Sequence, residues 1–274
     1  MSPTIISIVN HKGGCLKTTT TANLGAALTR RGKRVLVVDL DSQQNLTQSL
    51  IGAVSFNSGD FTLYEAMLEE QSLDSLICKT NENNLDIIPC TEDFPQADIS
   101  LVSAVGREAV LTACFSKTES LANYDYVLLD NPPSISLVVV NSLVASNYYL
   151  VPVSAEYLPM VGLSLLGRSI DKLEKVAPNL NLLGIVLTMY SGNERICRHV
   201  ESTLRNQMPD MVFKAKIRIN TKFKAAPSVR KTIFEYENSE KGRGTEDYFN
   251  LADEFIEKVS TLETSSLEEM AANA

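Results

Sequence analysis

The residues with the clearest chemical potential lie near the start of the chain, in IISIVNHKGGCLKTTTT from Ile5 to Thr21. Paired glycines let successive backbone N–H groups point inward, and a helix opening at Lys17 adds its own unpaired N–H groups and positive end. Such a loop cradles phosphates. Lys17 would lie against the β- and γ-phosphates, and Thr18 would offer its hydroxyl to Mg2+. The binding loop expected on this reading comprises Lys12, Gly13, Gly14, Cys15, Leu16, Lys17, Thr18 and Thr19. Carboxylates stand further on, where Asp39 and Asp41 end RVLVVDLD and Asp130 ends DYVLLD. A carboxylate ending an apolar strand in a phosphate-loop protein holds the hydration shell of the metal through water, and that role is expected of Asp130.

These groups need strands and helices to hold them. The β-branched run from Ile5 to Val9 reads as a buried strand, and Leu24, Ala27 and Leu28 recur at helical spacing between Lys17 and about Arg31, before Gly32. The strand Arg34–Asp39 follows at once, which implies a parallel pair joined by a right-handed crossover. Further strands are expected at LDIIPC, at Asp125–Asp130, at Tyr148–Val153 and at Leu180–Thr188. Helices are expected at TLYEAMLEE and SLDSLICK, at Val105–Leu121 and from about Leu158 to Val176. The fold class is therefore α/β, a P-loop NTPase with a mostly parallel twisted sheet of at least six or seven strands and helices on both faces. A chain of 274 residues that is 44% hydrophobic can bury one large core. We expect a single domain over 1–262 and a polar, frayed tail over 263–274.

Other readings compete with these. KGG alone serves equally well as a plain glycine turn, and acidic residues can simply terminate a strand. The general phosphate-loop pattern G-x-x-x-x-G-K-[ST] has glycine before its lysine, where this chain has Leu16. Cys15 is either a thiol of lowered pKa between two lysines or merely a small residue filling its place. Five cysteines, odd in number and without a C-x-x-C pair, argue against a disulfide framework or zinc site and suit a reducing cytoplasm. No run of about 18 apolar residues marks a membrane span, and no basic-then-apolar leader precedes the first strand.

With these motifs in view, the chain is identified as a member of the ParA/MinD deviant Walker A family, closest in kind to the ParA-type partition ATPases. Lys12–Thr18 resembles the deviant Walker A box, DLDSQQN from Asp39 resembles the switch I segment, and YDYVLLDNPPS from Tyr124 resembles Walker B with switch II. VPVSAEYLPMVGLSLL, GIVLTMY and APSVRKTIFEY extend the likeness to about residue 262. The resemblance implies ATP with Mg2+, and Asp41 as the carboxylate that orients the attacking water. It implies Asp39 as a residue behind the metal and Lys12 reaching the nucleotide of the partner subunit in an ATP-sandwich homodimer. Ser42 and Gln44 replace the family's proline and glycine in switch I.

Charge suggests what such a dimer touches. The chain carries −8 overall, yet between Asn193 and Gly244 twelve Lys/Arg face six Asp/Glu, a local excess of six positive charges. A basic surface on an acidic protein can contact phosphates without reading bases. The resemblance adds that ParA dimers gather basic residues from this segment on one face. The candidates for nonspecific double-stranded DNA are Arg195, Arg218, Lys222 and Lys224, followed by Arg230 and Lys231; the alternative is ordinary solvated side chains, some paired with acids. The resemblance also implies a ParB-like adaptor that stimulates slow hydrolysis, and a cytoplasmic, nucleoid-associated protein. A MinD-like membrane-associated ATPase is the alternative, but Glu263, Glu268 and Glu269 near the end of the chain would be repelled by an anionic bilayer, so no membrane contact is expected. A nucleotide-binding scaffold with negligible turnover is the remaining alternative.

Overall fold

A computed structural model describes residues 2–52, 61–155, 159–173, 175–239 and 241–272. Eight strands form one sheet: β1 (Thr4–Ile8), β2 (Val35–Asp39), β3 (Cys78–Lys79), β4 (Leu85–Ile88), β5 (Tyr126–Asp130), β6 (Tyr148–Ser154), β7 (Asn181–Tyr190) and β8 (Val212–Arg218). Their order is β3-β4-β2-β5-β1-β6-β7-β8, and only the β3/β4 pair at one edge is antiparallel. The helices are α1 (Lys17–Arg30), α2 (Asn45–Leu50), α3 (Leu63–Leu68), α4 (Ala97–Ser100), α5 (Val110–Ser116) and α6 (Leu137–Val144). They continue with α7 (Pro159–Asp171), α8 (Arg195–Gln207), α9 (Lys222–Ser228), α10 (Ile233–Glu237) and α11 (Arg243–Ala272).

The strands are apolar on both faces because both faces are covered, as parallel sheets require. In β2, Val35 and Val37 point into a layer with α1, α2 and α9–α11, while Leu36 and Val38 point into a layer with α3–α5. Helices α6, α7 and α8 cover the same second face over β6 and β7, where Val139, Leu143, Leu166, Val200 and Leu204 meet Val151, Val153, Ile185 and Leu187. Helix α1 is buried along nearly its whole length between the sheet and α11, which explains its run of small and apolar residues. The exposed edge at β8 is blunted by α11: the Glu254 carboxylate accepts the backbone N–H groups of Lys214 and Ala215, and Asp247 accepts that of Arg218.

Several expected elements differ. The helix expected over Val105–Leu121 shortens to α5, because the Asp74 carboxylate accepts the N–H groups of Glu119 and Ser120 and pulls the chain into a 3-10 turn. SLDSLICK forms only a 3-10 turn at Asp74–Leu76 before edge strand β3. Helix α7 runs from Pro159 to Asp171, and the start expected at Leu158 lies outside the described residues. Instead of fraying from 263, α11 continues to Ala272; Thr264 and Ser265 return their hydroxyls to the carbonyls of Ser260 and Thr261, and Thr4 donates to Glu263.

Candidate functional site

Strands β1, β2 and β5 finish level, with Ile8 opposite Asp130 and Asp39 opposite Asp130 in the register. The glycine loop and both strand-end carboxylates therefore converge at the carboxyl edge of the sheet, where ligands of open parallel sheets bind. Two side chains that sequence reasoning overlooked anchor the loop from beneath. The Asn10 amide donates to the Pro152 carbonyl at 2.7 Å and accepts the Lys12 N–H at 3.0 Å, and Thr188 donates its hydroxyl to the Cys15 carbonyl at 3.0 Å. Their signal is a polar residue at a strand end beside a loop.

Within the loop, Gly14 has φ +73° and Leu16 has φ +64°, both left-handed. Leu16 thus adopts the conformation that glycine takes easily, and α1 starts directly from it, with the Thr20 N–H bonded to the Leu16 carbonyl at 2.8 Å. A Cβ on Gly13 or Gly14 would meet no atom within 4 Å, so the space over the loop is open. No acidic residue occupies the first turn of α1, which leaves its positive end uncompensated. Lys17 is buried, with its ammonium 3.5 Å from the Lys12 carbonyl, whereas Lys12 is exposed on the rim and Thr18 and Thr19 are half-buried. Cys15 is buried and donates to the Lys12 carbonyl; burial pushes its thiol pKa up, which outweighs the lowering by Lys17. Of the two readings of Cys15, a small residue filling its place is the one that this environment fits.

Asp130 is fully buried. Its Oδ1 accepts from the Thr21 hydroxyl at 3.1 Å, and Oδ2 has no hydrogen-bond partner among the described residues. Burial first, and then the neighbouring Asp39 carboxylate, raise its pKa against the opposing pull of Thr18, Thr21 and Lys17. An orphaned carboxylate oxygen facing a lysine and a hydroxyl is a site short of positive charge. That arrangement fits a divalent cation carried with a phosphate ligand, although no cluster of three His, Cys, Asp or Glu occurs among the described residues. Thr18 and Asp130 would hold such a cation.

Asp39 is fully buried, and hydrogen bonds engage both of its oxygens. Its Oδ1 accepts the Asp41 N–H at 3.1 Å, and its Oδ2 accepts both the N–H and the hydroxyl of Thr47, at 2.8 and 2.7 Å. Thr47 in turn accepts the Cys90 N–H at 3.0 Å. Both oxygens of Asp39 thus shape the loop between β2 and α2, and that loop carries Asp41, whose Oδ1 accepts the Gln43 N–H. Gln44, at φ +55°, takes a left-handed turn where the resemblance led us to look for glycine.

The basic candidates divide into two groups. Arg218 is committed within the chain: Asp247 lies 2.6 Å and Glu246 2.6 Å from its guanidinium, and the Arg243 carbonyl accepts a further bond. Lys222 pairs with the buried Glu237 carboxylate at 3.1 Å. Both cations are thus ion-paired within the chain while their side chains stay partly exposed. Arg195, Lys224, Arg230 and Lys231 are exposed and form no ion pair among the described residues. Lys224, Arg230 and Lys231 sit together on α9 and the turn after it, and that turn packs on α2 and the first turns of α1. Arg195 lies apart, at the start of α8. No helix among the described residues is long and apolar enough to cross a membrane.

Comparison with known proteins agrees with this geometry. The AAA domain family model matches residues 3–182. The sporulation initiation inhibitor protein Soj of Bacillus subtilis is 36% identical over 251 residues, which span 91% of this chain and 97% of that protein. The chromosome partitioning protein ParA of Myxococcus xanthus is 34% identical over 255 residues, 93% of this chain and 88% of that one. Among solved structures, cobyrinic acid a,c-diamide synthase of Mycobacterium smegmatis, with bound ATP analog and magnesium, superposes with a TM-score of 0.77 at 28% identity, covering 92% of this chain and 93% of the other. A Cyanothece McdA–ATP complex shares the fold at a TM-score of 0.80 and 22% identity, over 93% of this chain and 96% of that one.

Proposed function

The chain belongs to the ParA/Soj family of partition ATPases, and on that premise we propose that it is an ATP-hydrolysing dimer switch that binds duplex DNA without reading sequence. The observation that carries this reading is that Lys17 and Asp130 are both buried beneath an open glycine loop, with one Asp130 oxygen left without a partner among the described residues. Lys17 and the open N–H groups of α1 would take the β- and γ-phosphates of ATP. Mg2+, when bound, screens the charge between those phosphates, and Thr18 and Asp130 are the residues suited to hold it. Asp41 orients the attacking water, and Asp39 positions Asp41 by accepting its backbone N–H. Exposed Lys12 reaches toward the nucleotide of a second copy, which makes the active site a property of the dimer. Little covalent chemistry is asked of the protein, so turnover is slow until a ParB-like adaptor completes or rigidifies the site.

Lys224, Arg230 and Lys231 form the proposed DNA face, with Arg195 as an outlying contact. A nucleoid-bound ATP dimer that releases DNA after hydrolysis would drive segregation of a plasmid, chromosome or protein cargo. The test is binding to random-sequence duplex DNA with ATP, ADP or no nucleotide at low and moderate salt, alongside phosphate release. The expected outcome is salt-sensitive binding in ATP alone, weakened by Lys224→Glu and Lys231→Glu, with phosphate release that rises with DNA. DNA binding of equal strength in all nucleotide states, or ATP binding without measurable turnover, would overturn the switch.

A further inference from the structure

Arg230 combines features that its neighbours lack. It holds φ +55° in an exposed turn, a left-handed conformation that costs a non-glycine residue energy and persists only where surroundings enforce it. Its guanidinium lies directly over Gly52, where a Cβ would stand 2.4 Å from Cζ and 2.5 Å from Nε. Gly52 follows α2 with φ +82°, and its N–H donates to the Thr47 carbonyl at 3.2 Å. The same Thr47 is gripped by Asp39, which also receives the Asp41 N–H. A continuous series of direct contacts therefore runs from Asp41 through Asp39, Thr47 and Gly52 to Arg230.

The other flank of the basic turn is fixed elsewhere. Thr232 caps α10 through the Glu235 N–H and bonds the buried Glu82 carboxylate, which also holds Arg30 of α1 at 2.7 Å. The Ile233 N–H donates to Asn23 of α1 at 2.7 Å. Residues 229–231 thus lie between an anchor on α1 and an anchor on Gly52 just after α2, which follows the Asp41 loop. Only glycine at position 52 leaves room for the guanidinium, so the contact depends on both residues.

We infer that Arg230 seated on Gly52 is a latch that ties the basic turn to the Asp41 loop, so that the loop's arrangement around the nucleotide sets the position of the cations that meet duplex DNA phosphates. This rests on the nucleotide and DNA reading above and assigns its regulation. A latch is a coupling free energy between two sites, and it is reciprocal. Its removal should equalise states rather than abolish either binding event.

Gly52→Ala displaces the flexible end of Arg230, and Arg230→Lys keeps the charge but removes the planar group that rests on Gly52. The first readout is the ratio of duplex DNA affinities with ATP and with ADP. Gly52→Ala should reduce that ratio by roughly tenfold, within the usual range of allosteric coupling, while ATP affinity without DNA changes less than about twofold. The second readout uses no DNA: amide hydrogen exchange over residues 222–231 with ATP against ADP. The wild type should show nucleotide-dependent protection there, and both variants should lose the difference. If the wild type ignores DNA in every state, the DNA reading fails, yet nucleotide-dependent exchange lost in both variants still supports the latch. Exchange that is nucleotide-independent in the wild type, or a difference retained in both variants, overturns it. Should Gly52→Ala fold poorly, Arg230→Lys carries the same test without touching α2.

Discussion

Lys17 and Arg218 are both cations in the neighbourhood of a buried aspartate, Asp130 and Asp247 respectively, and their surroundings give them opposite uses. Lys17 faces Asp130, which keeps one oxygen without a partner, and its own ammonium reaches only the Lys12 carbonyl at 3.5 Å. Arg218 faces Asp247 and Glu246 and also reaches the Arg243 carbonyl, so its guanidinium fork is spent inside the chain. The first pair is an incomplete site, whereas the second is a finished joint between β8 and α11. Availability of a cation is thus decided by what satisfies its donors, a property of the tertiary structure.

The comparison breaks most decisively at Lys17. Lys17→Ala removes the positive group facing the orphaned carboxylate and should lower ATP affinity by about a hundredfold or more, the effect of losing a charge-assisted hydrogen-bond network in a buried site. Equilibrium titration with a fluorescent ATP analogue measures it. Lys12→Ala, on the exposed rim, should leave monomer binding within about threefold and reduce ATP-dependent dimerisation, read by light scattering. Equal losses from both variants would erase the distinction drawn between a buried phosphate lysine and a rim lysine.

Arg218 gives the next largest effect, and on a different axis. Arg218→Ala leaves Asp247 buried with the backbone N–H of residue 218 but no cation, and should destabilise the fold by about 2–3 kcal/mol, less than a fully buried pair because the arginine is partly exposed. Lys224→Glu should change stability by less than about 0.5 kcal/mol yet weaken DNA binding roughly tenfold at low salt and flatten its salt dependence. Urea melts and DNA titrations on the same two proteins give a crossed result if the division of the basic segment is right. An Arg218→Ala protein of unchanged stability with lost DNA binding would return Arg218 to the DNA face.

Legibility in the sequence follows the same line. The glycine loop, the carboxylates Asp39, Asp41 and Asp130, and the parallel α/β sheet were readable because each is a contiguous pattern in which neighbours in sequence are neighbours in space. Local charge located the basic segment, but not which of its cations are free, since Arg218 and Lys222 are neutralised by Asp247 and Glu237 from later turns of the chain. Asp39 was read as standing behind a metal; its bond with Thr47, eight residues on, was not readable, because that hydroxyl gives no local pattern. Asn10 and Thr188 escaped notice for the same reason, because Thr188 meets the Cys15 carbonyl across 173 positions.

The incomplete site should also reveal itself in the pH dependence of stability. Burial and the nearby Asp39 raise the pKa of Asp130 in the folded chain. An acid so raised binds more protons folded than unfolded, so its contribution to stability is lost as pH rises from about 4, the unfolded value, through the folded one. Asp130→Asn removes that penalty and should stabilise the nucleotide-free protein by about 1–2 kcal/mol near neutrality, with little gain at pH 4. Thermal melts across pH 4–8 without Mg2+ check the sign. A variant less stable than the parent at neutral pH would mean the carboxylate is satisfied after all.

The smallest effect sharpens how the loop keeps its shape where its sequence departs from glycine. Leu16 holds φ +64° and also packs its side chain against the layer that contains α1. Leu16→Ala and Leu16→Gly forfeit the same packing, but only glycine relieves the left-handed backbone, worth about 1 kcal/mol. The glycine variant should therefore be the more stable of the two by about 1 kcal/mol, against the usual advantage of alanine near a helix start. Paired urea melts decide it. If alanine proves the better replacement, the backbone at position 16 relaxes once leucine is gone, and the loop's curvature depends on the leucine side chain rather than on the strand and helix that flank it.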